Sequence, residues 1–264
     1  MAQYDKGMSQ TQHLFILTGA SRGMGLAMAE QLLQSPGNTL VCLARNTQDA
    51  LTAAAKASGT TLEQWQQDLS QGEQAAARLK AWLAAQAPGR FASATLINNA
   101  GTIPRIAPLS ESDAADLANA LRVGLESPMQ LTAAFLHATE GWTATARKVL
   151  NISSGLGRKA MASQAAYCAA KAGMDHFTRC VALDEAHKPH GAKVCSLAPG
   201  VIDTDMQVQL RGAAPEAFPD RQNFANLKTG GQLTSPADAA IRVLAWLDRA
   251  DFGTNPVADV RDAQ

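Results

Sequence analysis

Residues 13–34 read HLFILTGASRGMGLAMAEQLLQ. HLFILT is a short apolar run bounded by a turn signal, the pattern of a buried strand. Gly19, Gly23 and Gly25 follow at once, and LAMAEQLLQ then repeats its apolar residues at helical spacing. A strand, a glycine-rich turn and a helix form an arrangement suited to a dinucleotide, whose pyrophosphate sits at the helix N-terminus. The glycine spacing is G-x-x-x-G-x-G rather than G-x-G-x-x-G. A lone cluster of this kind serves equally well as an ordinary strand-to-helix turn.

The remainder of the chain alternates in the same way. The pattern predicts strands over 13–18, 39–44, 61–66, 93–98, 147–152, 192–198 and 254–258. Helices are predicted over 24–35, 47–57, 72–86, 111–139, 163–187, 204–211 and 235–248. Alternating strands and helices argue for an α/β fold, a seven-stranded parallel sheet with helices on both faces. A chain of 264 residues can form one such domain with a large core. We read 1–12 as a polar disordered lead-in and 13–264 as the domain. Residues 203–233 carry Pro215, Pro219, Gly230 and Gly231 among Phe218, Phe224 and Leu227. This segment reads as a substrate lid or as a mobile surface loop.

Composition removes several function classes. Formal net charge is zero, so nothing points to nucleic acid. No apolar stretch approaches the ~20 residues of a membrane span, and the N-terminus lacks an apolar signal core. Cys42, Cys168, Cys180 and Cys195 lack metal-ligand spacing and read as reduced thiols, which suits the cytoplasm. Cys168 adjoins Tyr167 and is either a packing residue or a thiol open to oxidation.

Chemistry concentrates in residues 151–173, NISSGLGRKAMASQAAYCAAKAG. Tyr167 and Lys171 are four apart and share one helix face. A lysine beside a tyrosine stabilises tyrosinate and lowers a phenol pKa that starts near ~10. Such a phenol passes protons near neutral pH. A serine upstream can hydrogen-bond the oxygen that receives the proton. Together they suit carbonyl reduction once a hydride donor sits nearby.

The motifs Thr18-Gly19-Ala-Ser-Arg-Gly23-Met-Gly25, Asp68-Leu69, Asn98-Asn99-Ala100-Gly101, Ser154, Tyr167, Lys171 and Pro199-Gly200 occur in one order along the chain. In this the chain resembles the single-domain short-chain dehydrogenases/reductases. The phrases SPGNTLVCLARN, INNAG, NISS, YCAAKA and APGVIDTDM are most similar to the sepiapterin reductase and benzil reductase branch. The resemblance implies a Rossmann fold, a nicotinamide cofactor and Ser154, Tyr167 and Lys171 as the catalytic residues. Its spacing selects Ser154 over Ser153. It implies cofactor contacts from Thr18, Gly19, Ser21, Arg22, Gly23, Met24 and Gly25 in the turn. Further contacts are implied from Asp68 and Leu69 at the adenine, from Asn99, Ala100 and Gly101 beneath its ribose, from Pro199 and Gly200 around the nicotinamide, and from Thr204. Asp68 is also a candidate N-cap for the next helix.

Cofactor choice follows from the end of the second strand, Leu43-Ala44-Arg45-Asn46. No carboxylate stands there to bind a ribose 2′-OH before Asp49. Arg45, with Asn46 beside it, offers a guanidinium to a 2′-phosphate, and Arg22 offers a second, so the expectation is NADP(H). Either arginine alone reads equally as a solvated surface residue. The expected partner is a small-molecule carbonyl: a ketone, diketone or pterin-side-chain carbonyl. Leu156, Met161 and Met206 give its pocket an apolar lining. Asp259 stands near the aspartate with which the sepiapterin reductase branch holds its pterin, or is merely solvated. Arg158 and Lys159 attract an anionic substrate or are solvated. Long helices at 111–139 and 163–187 suggest a homodimer or homotetramer. One departure stands out: Gly124 occupies the place where the family usually has a helix asparagine, and Asn119 is a poor substitute by spacing. That leaves a second reading, an NADP(H)-binding redox sensor with weak or no turnover.

Overall fold

A computed structural model describes residues 11–262. Seven strands form one parallel sheet: β1 His13–Thr18, β2 Asn38–Ala44, β3 Thr61–Gln66, β4 Ser93–Asn98, β5 Ala146–Ile152, β6 Lys193–Ala198 and β7 Val257–Asp259. Their order is β3-β2-β1-β4-β5-β6-β7. The chain runs outward from β1 to β3, then returns to start again beside β1 with β4. That reversal opens a crevice at the carboxyl ends of β1 and β4, the place where open α/β sheets bind ligands.

Helices cover both faces. They are α1 Gly23–Leu32, α2 Asp49–Ser58, α3 Gly72–Ala84, α4 Ala114–Leu121, α5 Ser127–Ala138, α6 Ala165–Ala186, α7 Asp205–Gly212, α8 Arg221–Thr229 and α9 Pro236–Leu247. The central strands are apolar on both sides, and their side chains still divide with period two. Leu14, Ile16, Val41 and Leu43 pack with Leu79, Leu83, Leu131 and Phe135. Leu17, Leu40 and Cys42 pack on the other face with Met28, Leu33, Val243 and Leu247. A buried amide ladder fastens the centre. Asn98 Nδ2 donates to Asn151 Oδ1 at 2.8 Å and to Thr132 at 3.2 Å, and Asn151 Nδ2 donates to Thr178 at 2.9 Å.

The expected elements are present with four changes. The helix expected over 111–139 is two helices joined by a π turn, Arg122–Glu126, in which Gly124 is buried. Leu109–Glu111 is a separate 3-10 turn, and Asp113 caps α4 by accepting from Ala115 and Asp116 N–H. Residues 221–229, expected within a lid or surface loop, form α8; RQNFANLKT has too few apolar residues to declare a helix. The last strand is Val257–Asp259 rather than 254–258, because Pro256 has no N–H for a ladder. The expected lead-in at 1–12 falls mainly on residues 1–10, outside the described residues; the Gln12 carbonyl accepts from Ala92 N–H at 2.9 Å.

Candidate active site

The floor of the crevice is built where β1 and β4 end. Thr18 Oγ1 accepts from the backbone N–H of Asn99 and of Ala100, both at 3.0 Å. Asn99 Nδ2 returns a bond to the Thr18 carbonyl at 2.9 Å. The two turns are therefore locked side by side. Gly19 lies at φ +73°, and a Cβ there would stand 2.9 Å from Ala100 Cα; at Gly25 a Cβ would stand 2.1 Å from the Gly19 carbonyl oxygen. Gly25 is demanded by close approach, and Gly19 by close approach and by its left-handed backbone.

The start of α1 is open to an anion. Arg22 at its N-cap makes no capping bond, and no acidic residue lies in the first turn. The first amides of that turn thus have no side-chain acceptor, and the helix end carries partial positive charge. Ser21 is braced from outside the turn by Gln48, whose Nε2 donates to the Ser21 carbonyl at 2.7 Å. Arg45 and Asn46 are exposed at the end of β2, and Arg45 forms no ion pair with the described residues. Arg22 reaches across to α7 and pairs with Asp205 at 3.0 Å. Thr204 lies against Gly23, where a Cβ would meet Thr204 Cγ2 at 3.4 Å. Asp68 caps the 3-10 turn Leu69–Gln71 by accepting from Ser70 N–H at 2.8 Å, and Leu69 is buried. Gly200, after Pro199, takes the left-handed φ of +85° that turns the chain out of β6.

Helix α6 brings Tyr167 and Lys171 onto one face, and the end of β5 brings Ser154 to them. Ser154 stands near enough to Tyr167 to lower its phenol, and its Oγ accepts from Leu156 N–H at 3.1 Å. Lys171 Nζ donates to the Ile152 carbonyl at 2.7 Å and lies 5.7 Å from the centroid of the Tyr167 ring. Burial pushes the Tyr167 phenol up from its ordinary value; Ser154 lowers it and Cys168 raises it. Burial pulls the Lys171 ammonium down to about 8, opposed by Asp175.

Above Tyr167 sits an apolar roof. Ile103, Ile106, Leu210 and Phe218 are buried against the phenol ring, with Leu156, Met161, Met206 and Phe224 packed around them. Phe218 is fully buried and stacks on Phe224 with ring centroids 5.6 Å apart. The segment carrying α7 and α8 closes at a neck: Thr234 N–H donates to the Val201 carbonyl and Asp203 N–H to the Thr234 carbonyl, both at 2.9 Å. Ser163, the only non-glycine at positive φ among the described residues, hands its hydroxyl to the Ala217 carbonyl at 2.6 Å.

Other candidates are placed differently. The Asp259 carboxylate is nearly buried and bound on both oxygens by Arg261, at 2.7 and 2.6 Å. That partner, together with the neighbouring Arg158, holds its carboxyl below the usual carboxylate range. Arg158 turns back to Asp175 and to the Ala258 carbonyl, whereas Lys159 is exposed and its ammonium makes no bond among the described residues. Gly124 faces Ala170, whose Cβ would stand 3.1 Å from a Cβ at 124, so any side chain there presses on the residue beside Lys171. All four cysteines are free thiols; Cys168 is half-buried beside Tyr167. Gln48, Asp205 and Asp175 also border the site, at positions that belong to none of the motifs above. Only Asp175 carried a signal, four residues beyond Lys171 on the same helix face.

Comparison with known proteins places this geometry. The family profile described as short chain dehydrogenase matches residues 13–214. Benzil reductase ((S)-benzoin forming) of Bacillus cereus is 34% identical over 90% of this chain and 94% of its own length. Sepiapterin reductase of Rattus norvegicus is 32% identical over 94% of this chain and 95% of its own. A metagenomic short-chain oxidoreductase solved in complex with NADP superposes with a TM-score of 0.69 and 27% identity, covering 94% of this chain and 95% of its own. With its switch-point crevice, glycine turn and seven parallel strands, the chain belongs to the short-chain dehydrogenase/reductase family of oxidoreductases.

Proposed function

We propose that the chain is an NADPH-dependent carbonyl reductase with Tyr167 as proton donor. The observation that carries this reading is the meeting of Ser154, Tyr167 and Lys171 beneath an apolar roof beside the glycine turn. The uncapped start of α1, together with a glycine cradle that a Cβ would fill, fits a pyrophosphate. Arg45, without a carboxylate partner, fits a 2′-phosphate, and Arg22 becomes a second contact on leaving Asp205. When bound, the nicotinamide supplies the hydride.

The chain's residues do the rest. Ser154 Oγ orients the substrate carbonyl oxygen, and Tyr167 protonates that oxygen as negative charge develops on it. Lys171 holds positive charge beside the phenol, favouring the tyrosinate left behind. Ile103, Ile106, Met206 and Phe218 exclude water, which strengthens each of these interactions. The roof favours an apolar ketone or diketone, in keeping with the benzil reductase relative. A pterin anchored at Asp259 would first have to displace Arg261. The alternative, a sensor with little turnover, draws support from Gly124 alone. NADPH oxidation measured against diketones, pterins and aldehydes separates the two: tight NADPH binding with no turnover across the panel would establish the sensor. The free thiols support a cytoplasmic location, readable by fractionating the producing cells.

Five outcomes test the reading. Tyr167→Phe lowers the rate of carbonyl reduction by about a thousandfold or more while NADPH affinity, followed by its fluorescence, stays within about threefold. Arg45→Asp weakens NADPH by about tenfold or more and leaves NADH little changed, measured in the same titration. Lys171 sets an alkaline limb, so kcat/KM for reduction falls as pH rises past about 8. Below that pH the folded and unfolded chains both carry the lysine charge, and the fold bears the full cost of burying it. Between about 8 and 10.5 only the unfolded chain is protonated, so stability rises with pH. Lys171→Met is therefore inactive yet more stable at neutral pH. The gain is about 2 kcal/mol after the lost Ile152 bond is counted, and it shrinks across that window in thermal unfolding. Met129 and Leu183, exposed on α5 and α6, support a homodimer or homotetramer, and light scattering should give two or four times the chain mass.

A further inference from the structure

Asp175 is a buried carboxylate that the reaction above does not use. It follows Lys171 by one turn and Tyr167 by two, on the same face of α6. It is 2% exposed. Oδ1 accepts from Ser153 Oγ at 2.6 Å and from Ser196 Oγ at 2.7 Å. Oδ2 accepts from Arg158 Nε at 3.3 Å, and Arg158 Nη2 continues to the Ala258 carbonyl at 2.8 Å. One carboxylate therefore ties α6 to the end of β5, to β6, to the loop after Ser154 and, through Arg158, to β7.

The loop is pressed onto the helix at the same point. A Cβ on Gly157 would lie 2.9 Å from Asp175 Oδ2 and 3.0 Å from the Lys171 carbonyl oxygen. Ser153 and Ser154 are adjacent and Ser154 is extended, at φ −155° and ψ 155°. Neighbouring side chains of an extended segment point to opposite sides. Ser153 thus turns down to Asp175 while Ser154 turns up to Tyr167, and fixing one hydroxyl fixes the other. A buried charge is a costly way to satisfy two serines, and replacing such a group by apolar residues is often neutral for stability.

Building on the reductase reading, we propose that Asp175 is a positioning residue for that reaction: acting through Ser153, Gly157 and Arg158, it holds Ser154 and the substrate loop in register with the Tyr167–Lys171 face. Its charge also opposes the fall of the Lys171 pKa. The other ionisable groups around it are Arg158 on the loop and Cys195 on β6, with Asp259 on β7 reached through Arg158.

The test uses the full chain and three variants. Tyr4 and Tyr167 are its two tyrosines, so in a Tyr4→Phe background phenolate absorbance reports Tyr167 alone, with no substrate or coenzyme present. Ser153→Ala changes no charge. It should move Tyr167 ionisation to higher pH as Ser154 loosens, and lower kcat about tenfold with NADPH affinity unchanged. Ser153→Thr should restore both. Asp175→Asn should lower kcat about tenfold to a hundredfold, again with NADPH affinity unchanged, and move the alkaline limb to lower pH. If Ser153→Ala leaves Tyr167 ionisation and kcat as they were, the proposal is overturned. It is equally overturned if Asp175→Asn folds and loses melting temperature alone. Should Asp175→Asn fail to fold, Ser153→Ala decides. A wild-type chain that reduces no carbonyl defeats the reductase reading, and the Tyr167 titration still decides the role of Asp175.

Discussion

Everything in the crevice is referred to one small interaction, the Thr18 hydroxyl bound by the amides of Asn99 and Ala100. Those amides end a strand, where no ladder partner remains for them, and a buried N–H without an acceptor is costly. Thr18 meets that need from the neighbouring strand. In doing so it sets the distance between the turn after β1 and the turn after β4. The glycine contacts follow, since Gly19 must lie against Ala100 and Gly25 against Gly19. So does the direction of α1, whose open end faces the crevice.

The acid–base groups are governed by burial more than by one another. Tyr167 and Lys171 stand at the spacing that should make lysine the tyrosine's modulator, yet burial pushes both toward their neutral forms. The phenol keeps its proton and the ammonium is inclined to lose one. That is a resting state suited to holding a proton for delivery. The Ile152 carbonyl and the Asp175 carboxylate are what keep the lysine charged at neutral pH.

Much of the architecture could be read directly from the chain. The inner strands, such as HLFILT and NTLVCLA, announce themselves by continuous apolar character, because both faces of a parallel sheet are covered. Tyr167 and Lys171 were legible because helical period alone puts them together. What escaped was set by tertiary contact. The π turn at Gly124 has ordinary helix formers around it, and its geometry answers to the packing of Ala170. Helix α8 is too polar to show a face of its own and is held by Phe224 against Phe218. The bond from Gln48 to the glycine turn crosses two loops and leaves no mark in local pattern. Arg261 changed the sense of Asp259, since a carboxylate that looks available in the sequence is already occupied in the fold.

The neck at Val201–Asp203 and Thr234 mechanically separates the roof from the sheet. The ends of the segment beyond it are already held side by side. Rearranging α7 and α8 therefore adds little to the entropy of closing that loop, which grows only slowly with length. The roof can exchange one packing for another while β6 and α9 keep their places. The segment is in that sense a replaceable cassette: pocket shape can change with Met206, Leu210 and Phe218 while the floor that carries Ser154, Tyr167 and Lys171 stays in place.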